Sequence, residues 1–361
     1  MTRETLLQWL RETDGARLEE LWRQADATRR QHVGDEVHLR GLVEFSNVCV
    51  RQCAYCGLRA GNRALTRYRM SAAEILECAH KAVEFGYGTV VLQSGEDPGC
   101  TAAWLAEVVT AIKRETRLAV TLSVGERAVE DLARWRAAGA DRYLIRFETS
   151  NRRLYERIHP ALPGVVSDRF AIMRQLRELG YEVGSGVLLG IPGQTYADLA
   201  EDIAWFQRLD LDMIGVGPYI PHPQTPLGQQ ALAGGEAGGG EQAPASELMT
   251  YKMVALTRLA CPRANLPSTT ALATLNKTSG RELGLARGAN IVMPNLTPVQ
   301  YRAYYEIYPA KVCIAETADI CHGCMTQRIH SIGRTVGTGR GDSRSYHQRL
   351  QPGVAAERTD A

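Results

Sequence analysis

Strand-like and helix-like segments alternate along most of the chain, and this alternation is the strongest constraint on the fold. Eight segments have the apolar pattern of strands: 38–46, 89–95, 119–125, 142–149, 182–191, 213–220, 266–272 and 290–295. Helical patterns lie between them, as in residues 71–85, where Ser71 and Glu74 form a capping box and Gly86 ends the helix. Strands separated by helices pair in parallel, and eight such units predict an α/β fold, a (β/α)8 TIM-type barrel. A doubly wound open sheet is the alternative, but no Gly-rich phosphate turn follows the first strand.

Four further segments flank or interrupt the predicted barrel, which spans residues 37–310. Residues 1–36 predict one or two N-terminal helices that pack against it. The Gly- and Ala-rich stretch 232–247 predicts a flexible insertion, and residues 333–361 predict a loosely held polar tail. Between the barrel and the tail, residues 311–332 form a cysteine-bearing C-terminal extension.

The composition is that of an ordinary globular protein, with 45% hydrophobic and 23% charged residues. The net charge of +2 is too small to indicate a nucleic-acid surface. The charged N-terminal segment lacks the apolar stretch of a signal peptide. We therefore expect a cytoplasmic protein with no nucleic-acid or membrane partner. In that reducing compartment, nine cysteines indicate metal binding or chemistry rather than disulfides.

Cys49, Cys53 and Cys56 follow the first predicted strand with the spacing Cys-x3-Cys-x2-Cys. Structural zinc takes four protein ligands, and no further Cys or His near residues 45–62 completes such a set. Three thiolates on a cubane cluster leave one iron open, and catalysis needs an open coordination position. Barrel active sites lie at the C-terminal ends of the strands, where this loop is expected. The pattern favours an iron-sulfur cluster over a zinc loop.

This spacing, with aromatic Tyr55 directly before the last cysteine, resembles the defining motif of the radical S-adenosylmethionine (SAM) superfamily. The resemblance implies a 4Fe-4S cluster whose open iron is chelated by the amino and carboxylate groups of SAM. It also implies that one electron, from a donor such as ferredoxin or flavodoxin, cleaves SAM to a 5′-deoxyadenosyl radical.

The ends of two later strands match cofactor-binding elements of that superfamily. The segment "SGEDP" resembles its Gly-Gly-Glu element, which implies that Gly95 and Glu96 meet the SAM ammonium group. In "GIPGQT", Gly190 and Pro192 let the backbone approach a flat ligand, as an adenine platform requires. A plain strand-to-helix turn also uses glycine and proline.

The fourth predicted strand ends in "RFETSN", which places three charged side chains near the expected cofactor. Glu148 can take the ammonium group, and Arg146 or Arg169 can pair with the carboxylate of SAM in a planar fork. A surface ion pair is the alternative for either arginine. Phe147 stands where the family resemblance leads us to expect a histidine.

Longer segments, among them "VEFSNVC", "GADRYLIRFETSN", "GVGPYIPHPQTPLG" and "GRELGLARGAN", resemble the HydE family of FeFe-hydrogenase radical maturases. In that family the enzyme works with other maturases on the two-iron subcluster of the hydrogenase active site. Its substrate is a cysteine-bound iron complex with carbonyl and cyanide ligands. The resemblance implies a polar cavity inside the barrel, with the substrate-binding residues Thr269, Thr270, Arg281, Met293 and Asn295. Threonine and asparagine at strand ends also commonly form purely structural hydrogen bonds.

A second triplet, Cys313, Cys321 and Cys324, lies in the C-terminal extension. Its spacing resembles the ligand set of an accessory iron-sulfur cluster that some family members carry and that their chemistry does not require. A zinc knuckle with His322 or His330 as fourth ligand is the alternative.

Two other functions compete with the maturase. One is a methylornithine-synthase-like or biotin-synthase-like radical SAM enzyme that acts on a small amino-acid-type substrate. The other is a non-catalytic iron-sulfur scaffold or electron carrier, which would normally use four thiolates for each cluster.

Overall fold

Parallel strands form the centre of the computed structural model, which describes residues 1–234 and 241–350. The strands are β1 (Glu36–Ser46), β2 (Thr89–Ser94), β3 (Ala119–Ser123), β4 (Arg142–Leu144), β5 (Glu182–Leu189), β6 (Met213–Pro218), β7 (Ile291–Val292) and β8 (Thr335–Val336). The helices are α1 (Arg3–Arg11), α2 (Gly15–Val33), α3 (Ala72–Glu84), α4 (Ala102–Glu115), α5 (Val129–Ala137), α6 (Arg152–Ile158), α7 (Arg169–Glu178), α8 (Tyr196–Arg208), α9 (Pro226–Leu232), α10 (Glu247–Ala260), α11 (Thr270–Leu275), α12 (Gly280–Ala286), α13 (Val299–Arg302), α14 (Ala318–Ser331) and α15 (Arg344–Leu350). Among the described residues, no helix has the length and apolar character needed to cross a membrane.

The strands pair in the order expected of a TIM-type barrel, which confirms the predicted fold. Strands β1 to β6 pair in sequence order, and β7 pairs with the other side of β1. Between β6 and β7 the ring is completed only by single residue pairs, Met213 with Asn265 and Pro267 with Ile291. The barrel therefore has one weak seam.

Two predicted strands next to this seam are much shorter than expected. The prediction of a strand over 266–272 is wrong beyond Pro267, which has no N–H to donate to a ladder. Thr269 then caps α11 by accepting a hydrogen bond from the Leu272 N–H at 3.3 Å. The strand predicted at 290–295 keeps only the two residues of β7, because Pro294 also lacks a donor.

Several predicted helices are confirmed together with their ends. Ser71 and Glu74 form the expected capping box of α3, and Gly86 follows its end with a φ of 72°. The predicted N-terminal helices are α1 and α2, and α2 packs on α10. Thr195 caps α8, whose capping box with Asp198 follows the same rule as that of α3.

Alternation along the strands separates a barrel interior that carries polar side chains from an apolar outer core. Inward-facing residues of the first three strands line an internal cavity: Arg40, Leu42, Glu44, Val91, Gln93, Thr121 and Ser123. Their outward-facing neighbours belong to the hydrophobic core under the helices: Val43, Phe45, Val90, Leu92, Val120 and Leu122. Most barrels fill the interior with branched apolar side chains. Here polar side chains stand among the apolar ones, and the space between them can hold a ligand.

Residues 333–350 differ from the predicted loose tail, because they close the N-terminal end of the barrel. Strand β8 pairs with β1. The carbonyl of Arg340 accepts a hydrogen bond from Thr89 Oγ1 at 2.8 Å, and Asp342 pairs with buried Arg142. The polar segment is thus matched by charged side chains at the strand starts. Residues 351–361 of the predicted tail lie outside the described residues.

The predicted insertion at 232–247 falls partly on residues 235–240, which also lie outside the described residues. Its second half is packed rather than loose. Gln242 forms a bridge with Thr195, and its side chain donates to the Ile191 carbonyl at 3.1 Å. Ala243 is completely buried.

Candidate functional site

The first cysteine triplet lies in a loop without regular secondary structure, between β1 and α3. Asn47 fixes the start of this loop by donating hydrogen bonds to the carbonyls of Thr66 at 2.8 Å and Tyr304 at 2.7 Å. Arg67 fixes its middle by donating to four backbone carbonyls: those of Asn47, Leu58, Arg59 and Asn62. Side chains thus satisfy carbonyls that no helix or strand pairs.

The end of β2 presses against this cysteine loop. A Cβ at Gly95 would lie 2.3 Å from the Val48 carbonyl oxygen and 2.7 Å from Cys49 Cβ. Only glycine therefore allows this close approach. The next backbone N–H, that of Glu96, donates to Cys49 Sγ at 3.4 Å. The predicted Gly-Gly-Glu-like element is in direct contact with the first cysteine.

A buried group of charged side chains contacts the cysteine loop at Arg51. Arg51 pairs with Glu96 at 2.7 Å and with Glu126 at 3.0 Å. Glu126 also accepts hydrogen bonds from Arg169 at 2.9 Å and Ser167 at 2.7 Å. Burial would raise the pKa of Glu126, but Arg169, Ser167 and Arg51 outweigh it and lower the pKa. The Glu96 carboxylate and Arg169 are therefore engaged in this group, and their contact with SAM stays a prediction.

Glu148 brings together residues from two separate motifs. Its φ of 61° lies in the left-handed region, which is strained for a residue other than glycine. Its carboxylate accepts hydrogen bonds from the Tyr55 hydroxyl at 3.2 Å and from Arg146 Nε at 3.0 Å. The side chains of Tyr55, Arg146 and Glu148 all line the internal cavity of the barrel. Phe147 points away and packs on Phe170, with 5.1 Å between ring centroids.

The turn after β5 is shaped by other parts of the chain. Gly190 has a φ of 75°, and a Cβ there would lie 2.2 Å from the Ala245 backbone nitrogen. The Pro192 carbonyl accepts a hydrogen bond from Arg157. Close approach by Ala245 thus explains Gly190 without a ligand. The expected role of both residues in adenine binding stays a prediction.

The barrel encloses a cavity of about 350 Å³. Cys56 and Tyr55 of the cysteine loop line it, and so do three of the predicted substrate residues: Thr269, Thr270 and Met293. The cysteine loop and these residues come from opposite ends of the sequence. The structure therefore places the expected cofactor end and substrate end in one space.

Arg281 and Asn295, the other two predicted substrate residues, line a smaller neighbouring cavity of about 20 Å³. Cys313 and Cys321 of the second triplet line the same small cavity. It adjoins the large cavity, because some side chains line both: Leu42, Thr270, Met293 and Lys311. The predicted substrate residues are therefore divided between two adjoining spaces.

Several polar residues of the cavity escaped the sequence analysis. Lys311 pairs with Glu44, and both are buried. Its ammonium group also lies 5.2 Å from the centroid of the Tyr305 ring. Glu44 occupies an inward position of β1, where a polar residue interrupts an apolar strand. Alternation along β1 was the available signal for Glu44, whereas Lys311 lies outside any predicted strand.

Three buried polar atoms in the large cavity have no hydrogen-bond partner among the described residues: Arg40 Nε, Thr121 Oγ1 and the Tyr219 hydroxyl. Buried polar groups are nearly always paired, with protein, water or ligand. Within the described part of the chain, they are unpaired polar groups buried within the residues of the cavity wall.

Comparison with known proteins agrees with the cysteine motif. The radical SAM superfamily model matches residues 43–206. A FeFe hydrogenase maturase subunit HydE from Thermotoga maritima is 45% identical over 336 residues, which cover 93% of this chain and 92% of that protein. The chain belongs to the HydE family of radical SAM enzymes.

More distant relatives of this HydE-family chain share the fold. A 3-methylornithine synthase from Methanosarcina acetivorans is 29% identical over 277 residues, covering 76% of this chain and 74% of that protein. The crystal structure of methylornithine synthase (PylB) superimposes with a TM-score of 0.78 at 26% identity, covering 93% of this chain and 94% of that one. Both likenesses extend well beyond the cysteine loop.

The radical SAM family implies a 4Fe-4S cluster and SAM, and the first triplet of the HydE-family chain fits such a cluster. Burial raises the pKa of Cys49 and Cys53 and raises that of Cys56 to about 12. Buried thiols of this kind become thiolates only beside a compensating cation. The irons of a cluster would supply that charge.

Arginine side chains contact all three cysteines of the second triplet of the HydE-family chain: Arg281 contacts Cys313, Arg302 contacts Cys321 and Arg328 contacts Cys324. Cys313 has a φ of 62°, and Cys321 and Cys324 lie one turn apart on α14. A hydrogen bond with Cys321 lowers the pKa of Cys313 to about 6 and raises that of Cys321. Buried Arg302 donates to the Cys313 carbonyl at 3.3 Å and to Cys321 Sγ at 3.7 Å.

Zinc, the alternative for both triplets, gains no support from this arrangement. Within residues 1–234 and 241–350, no three His, Cys, Asp or Glu side chains are grouped to hold one metal ion. Structural zinc needs four ligands around a single ion. A cubane cluster instead distributes its cysteine ligands over separate irons.

Proposed function

We propose that this HydE-family enzyme acts in assembly of the two-iron subcluster of FeFe hydrogenase, on a cysteine-bound iron complex with carbonyl and cyanide ligands. One observation carries the proposal. Cys56 and Tyr55 line the same cavity as Thr269, Thr270 and Met293. A reactive group formed at the cysteine end can meet a small substrate within that one space.

Cys49, Cys53 and Cys56 are proposed to hold the 4Fe-4S cluster, next to the bound SAM. When bound, the cluster and SAM together supply reductive cleavage of SAM to a 5′-deoxyadenosyl radical. Gly95 keeps the end of β2 against Cys49 and exposes backbone for the SAM ammonium group. The Glu96 carboxylate is proposed to bind the same ammonium group while it also pairs with Arg51.

Glu148 and Arg146 form the second part of the proposed SAM site. The Glu148 carboxylate is held by Tyr55 and Arg146 and faces the cavity, so it can accept a hydrogen bond from an ammonium group. Arg146 can pair with the SAM carboxylate, and Arg169 braces it by donating to its backbone carbonyl. Gly190 and Pro192 are proposed to border the adenine.

The substrate end is proposed to use hydroxyl, amide and guanidinium groups. Thr269 and Thr270 present hydroxyls to the large cavity, whereas Arg281 and Asn295 lie in the small one beside Met293. Asn295 already donates to Glu44 at 3.0 Å. Such groups suit an amino-acid-type carboxylate and a cyanide nitrogen, since both are hydrogen-bond acceptors.

Further parts of the proposal concern location and partners. We expect the enzyme to work in the cytoplasm with other hydrogenase maturases and to receive electrons from a ferredoxin or flavodoxin. The second triplet is proposed to hold an accessory iron-sulfur cluster that SAM cleavage does not require.

The test begins with protein in which Cys313, Cys321 and Cys324 are replaced, reconstituted anaerobically and reduced. Its electron paramagnetic resonance signal is recorded with and without SAM. A cubane signal that changes with SAM is expected. A well-folded, iron-loaded protein whose signal ignores SAM would contradict the proposed cofactor site.

A second experiment tests the substrate. Protein, SAM and reductant are combined with the other maturases and an inactive hydrogenase, and hydrogen production is measured. Thr270→Val is expected to lower hydrogenase activation while SAM cleavage continues, and Thr278→Val, at an exposed threonine, is the control. Formation of a rearranged amino acid without the other maturases would instead favour a methylornithine-synthase-like function.

A further inference from the structure

The geometry points to a docking site for an acidic one-electron carrier protein on the outer surface of the cysteine loop. This inference rests on the proposed function, because a cluster that cleaves SAM has to be reduced. The surface is formed by Arg59, Arg63 and the exposed small residues Ala60, Gly61 and Ala64. We call it the loop tip.

The loop tip belongs to a stretch of one-sided charge. Residues 45–73 contain five arginines and neither aspartate nor glutamate, although the whole chain has 42 basic and 40 acidic residues. Arg51 and Arg67 are engaged by carboxylates or backbone carbonyls within the protein, and exposed Arg69 pairs with buried Asp97. Arg63 is exposed and Arg59 is half-buried, so the loop tip is positive.

Hydrogen bonds hold the loop tip against the cysteines. Arg59 Nε donates to the Cys53 carbonyl at 3.2 Å, and the Ala60 N–H donates to the Arg51 carbonyl at 2.8 Å. The Asn62 side chain donates to the Gly57 carbonyl at 2.8 Å. Electron transfer slows steeply with distance. A carrier at the loop tip is one hydrogen bond away from the backbone of a proposed cluster ligand.

The surroundings of the loop tip also favour an acidic partner. Residues 221–234 pack on the same loop, where the Leu227 N–H donates to the Ala54 carbonyl at 3.1 Å, and they contain no acidic residue. The backbone carbonyl of Glu306 lies against Gly57, and the Glu306 carboxylate lies 3.6 Å from His222 Nε2. Exposed alanine and glycine allow close approach of a partner backbone. Opposite charge on the carrier would speed and orient its encounter.

The test measures binding of an oxidised acidic ferredoxin or flavodoxin to the anaerobically reconstituted enzyme at low ionic strength. Arg63→Glu is expected to weaken binding, and to raise the KM for the reduced carrier in SAM cleavage, by about fivefold to tenfold. Cleavage driven by dithionite should stay at the wild-type rate. Added salt should weaken carrier binding by the wild type far more than by Arg63→Glu.

Arg263→Glu is the matched control, because it makes the same charge change at the opposite end of the barrel. Arg263 is exposed there and donates to Gln348 at 2.7 Å. Equal carrier affinity in the two variants would overturn the docking site. A stronger dependence on Arg63 for another maturase than for the carrier would overturn the choice of partner.

Two further outcomes, an inactive Arg63→Glu variant and an inactive wild type, also test the inference. If Arg63→Glu loses dithionite-driven cleavage, Arg63→Lys must bind the carrier more tightly than Arg63→Gln, and equal affinities would refute the inference. If the wild type cleaves no SAM with dithionite, the proposed function fails. The binding measurement then still decides whether the loop tip receives the carrier.

Discussion

The two cysteine triplets are embedded in opposite ways. The first lies in an irregular loop that Asn47 and Arg67 tie to distant backbone carbonyls and that the end of β2 touches at Gly95. The second runs from a loop onto α14, where an added Cβ at Gly323 would meet nothing within 4 Å. Several elements of the barrel therefore position the first triplet, whereas the second lies partly on its own helix and is contacted by the side chains of Arg281, Arg302 and Arg328.

This difference separates the expected roles of the two triplets. A site that has to hold a ligand in a fixed orientation needs supporting contacts from rigid elements. The first triplet has such contacts and borders the large cavity through Cys56. The second borders only the small cavity. We therefore expect catalysis to depend on the first triplet and to tolerate changes at the second.

The largest expected effect comes from replacing single cysteines. Cys53→Ala should reduce SAM cleavage to background, because the cluster loses one of only three protein ligands. Cys321→Ala should keep most of the activity. The measurement is 5′-deoxyadenosine formed by anaerobically reconstituted protein, together with its iron content. Equal losses in the two variants would end the proposed division of roles.

Arg302→Met should disturb the second triplet without disabling the first. The change leaves buried carbonyls of Asn295 and Cys313 without their donor and is expected to cost about 3 kcal/mol of unfolding free energy. Urea unfolding and SAM cleavage by the folded protein check this. Arg208→Met is the control, because its exposed pair with Glu201 lies on α8, outside the second triplet, and contributes about 1 kcal/mol at most. A loss of SAM cleavage specific to Arg302→Met would show that the two triplets are coupled.

A matched pair of glycine variants probes the packing of each triplet. Gly95→Ala is expected to cost about 2 kcal/mol, because the new Cβ pushes β2 away from the cysteine loop. Gly323→Ala should stabilise α14 by about 0.5 to 1 kcal/mol, since nothing lies near the new methyl group. Thermal unfolding gives both values. A stable Gly95→Ala protein with full SAM cleavage would contradict the tight packing described for the first triplet.

The smallest expected effect appears only in acid. Burial would raise the pKa of Asp97, but hydrogen bonds from Arg69, Ser46 and the Gly99 N–H outweigh it and lower the pKa from 3.8 to about 2. A carboxyl whose pKa is lower in the folded state stabilises the fold above its unfolded pKa. That contribution is lost as pH falls from 3.8 to about 2.

Asp97→Asn should therefore flatten the decline of unfolding free energy over that pH window. Asp319→Asn is the comparison at the second triplet. The pKa of Asp319 is also lowered, by Lys81, but the pair is exposed and screened by solvent. Urea unfolding across the window distinguishes the variants. The same slope in Asp97→Asn and wild type would show that other carboxyls govern acid unfolding.

Local patterns predicted much of this molecule. The capping box of Ser71 and Glu74, the order of the parallel strands and the cysteine spacing all depend on residues close together in the sequence. Alternation along β1 could also have revealed Glu44 as an inward polar residue. The predicted strand at 266–272 failed because the donor missing at Pro267 and the helix cap at Thr269 outweighed its apolar pattern.

Long-range contacts were beyond such reasoning. Lys311 pairs with Glu44, 267 positions away, and the local sequence around Lys311 does not indicate a buried charge. The polar composition of residues 333–350 predicted a loosely held tail, yet Asp342 pairs with Arg142 at the closed end of the barrel. The close contact of Gly190 with Ala245 was also not predictable, because Ala245 comes from a stretch predicted to be flexible.

The sequence by itself determined the barrel class and the family, because strand periodicity and cysteine spacing are properties of short segments. It also suggested some of the residues that line the cavity, among them Cys56, Glu148 and Thr270. Only the tertiary structure decided which of them share one space, which charges are buried together and how differently the two triplets are held. Buried charges and close backbone contacts are stable only where a partner from a distant segment arrives, and local sequence does not specify that meeting.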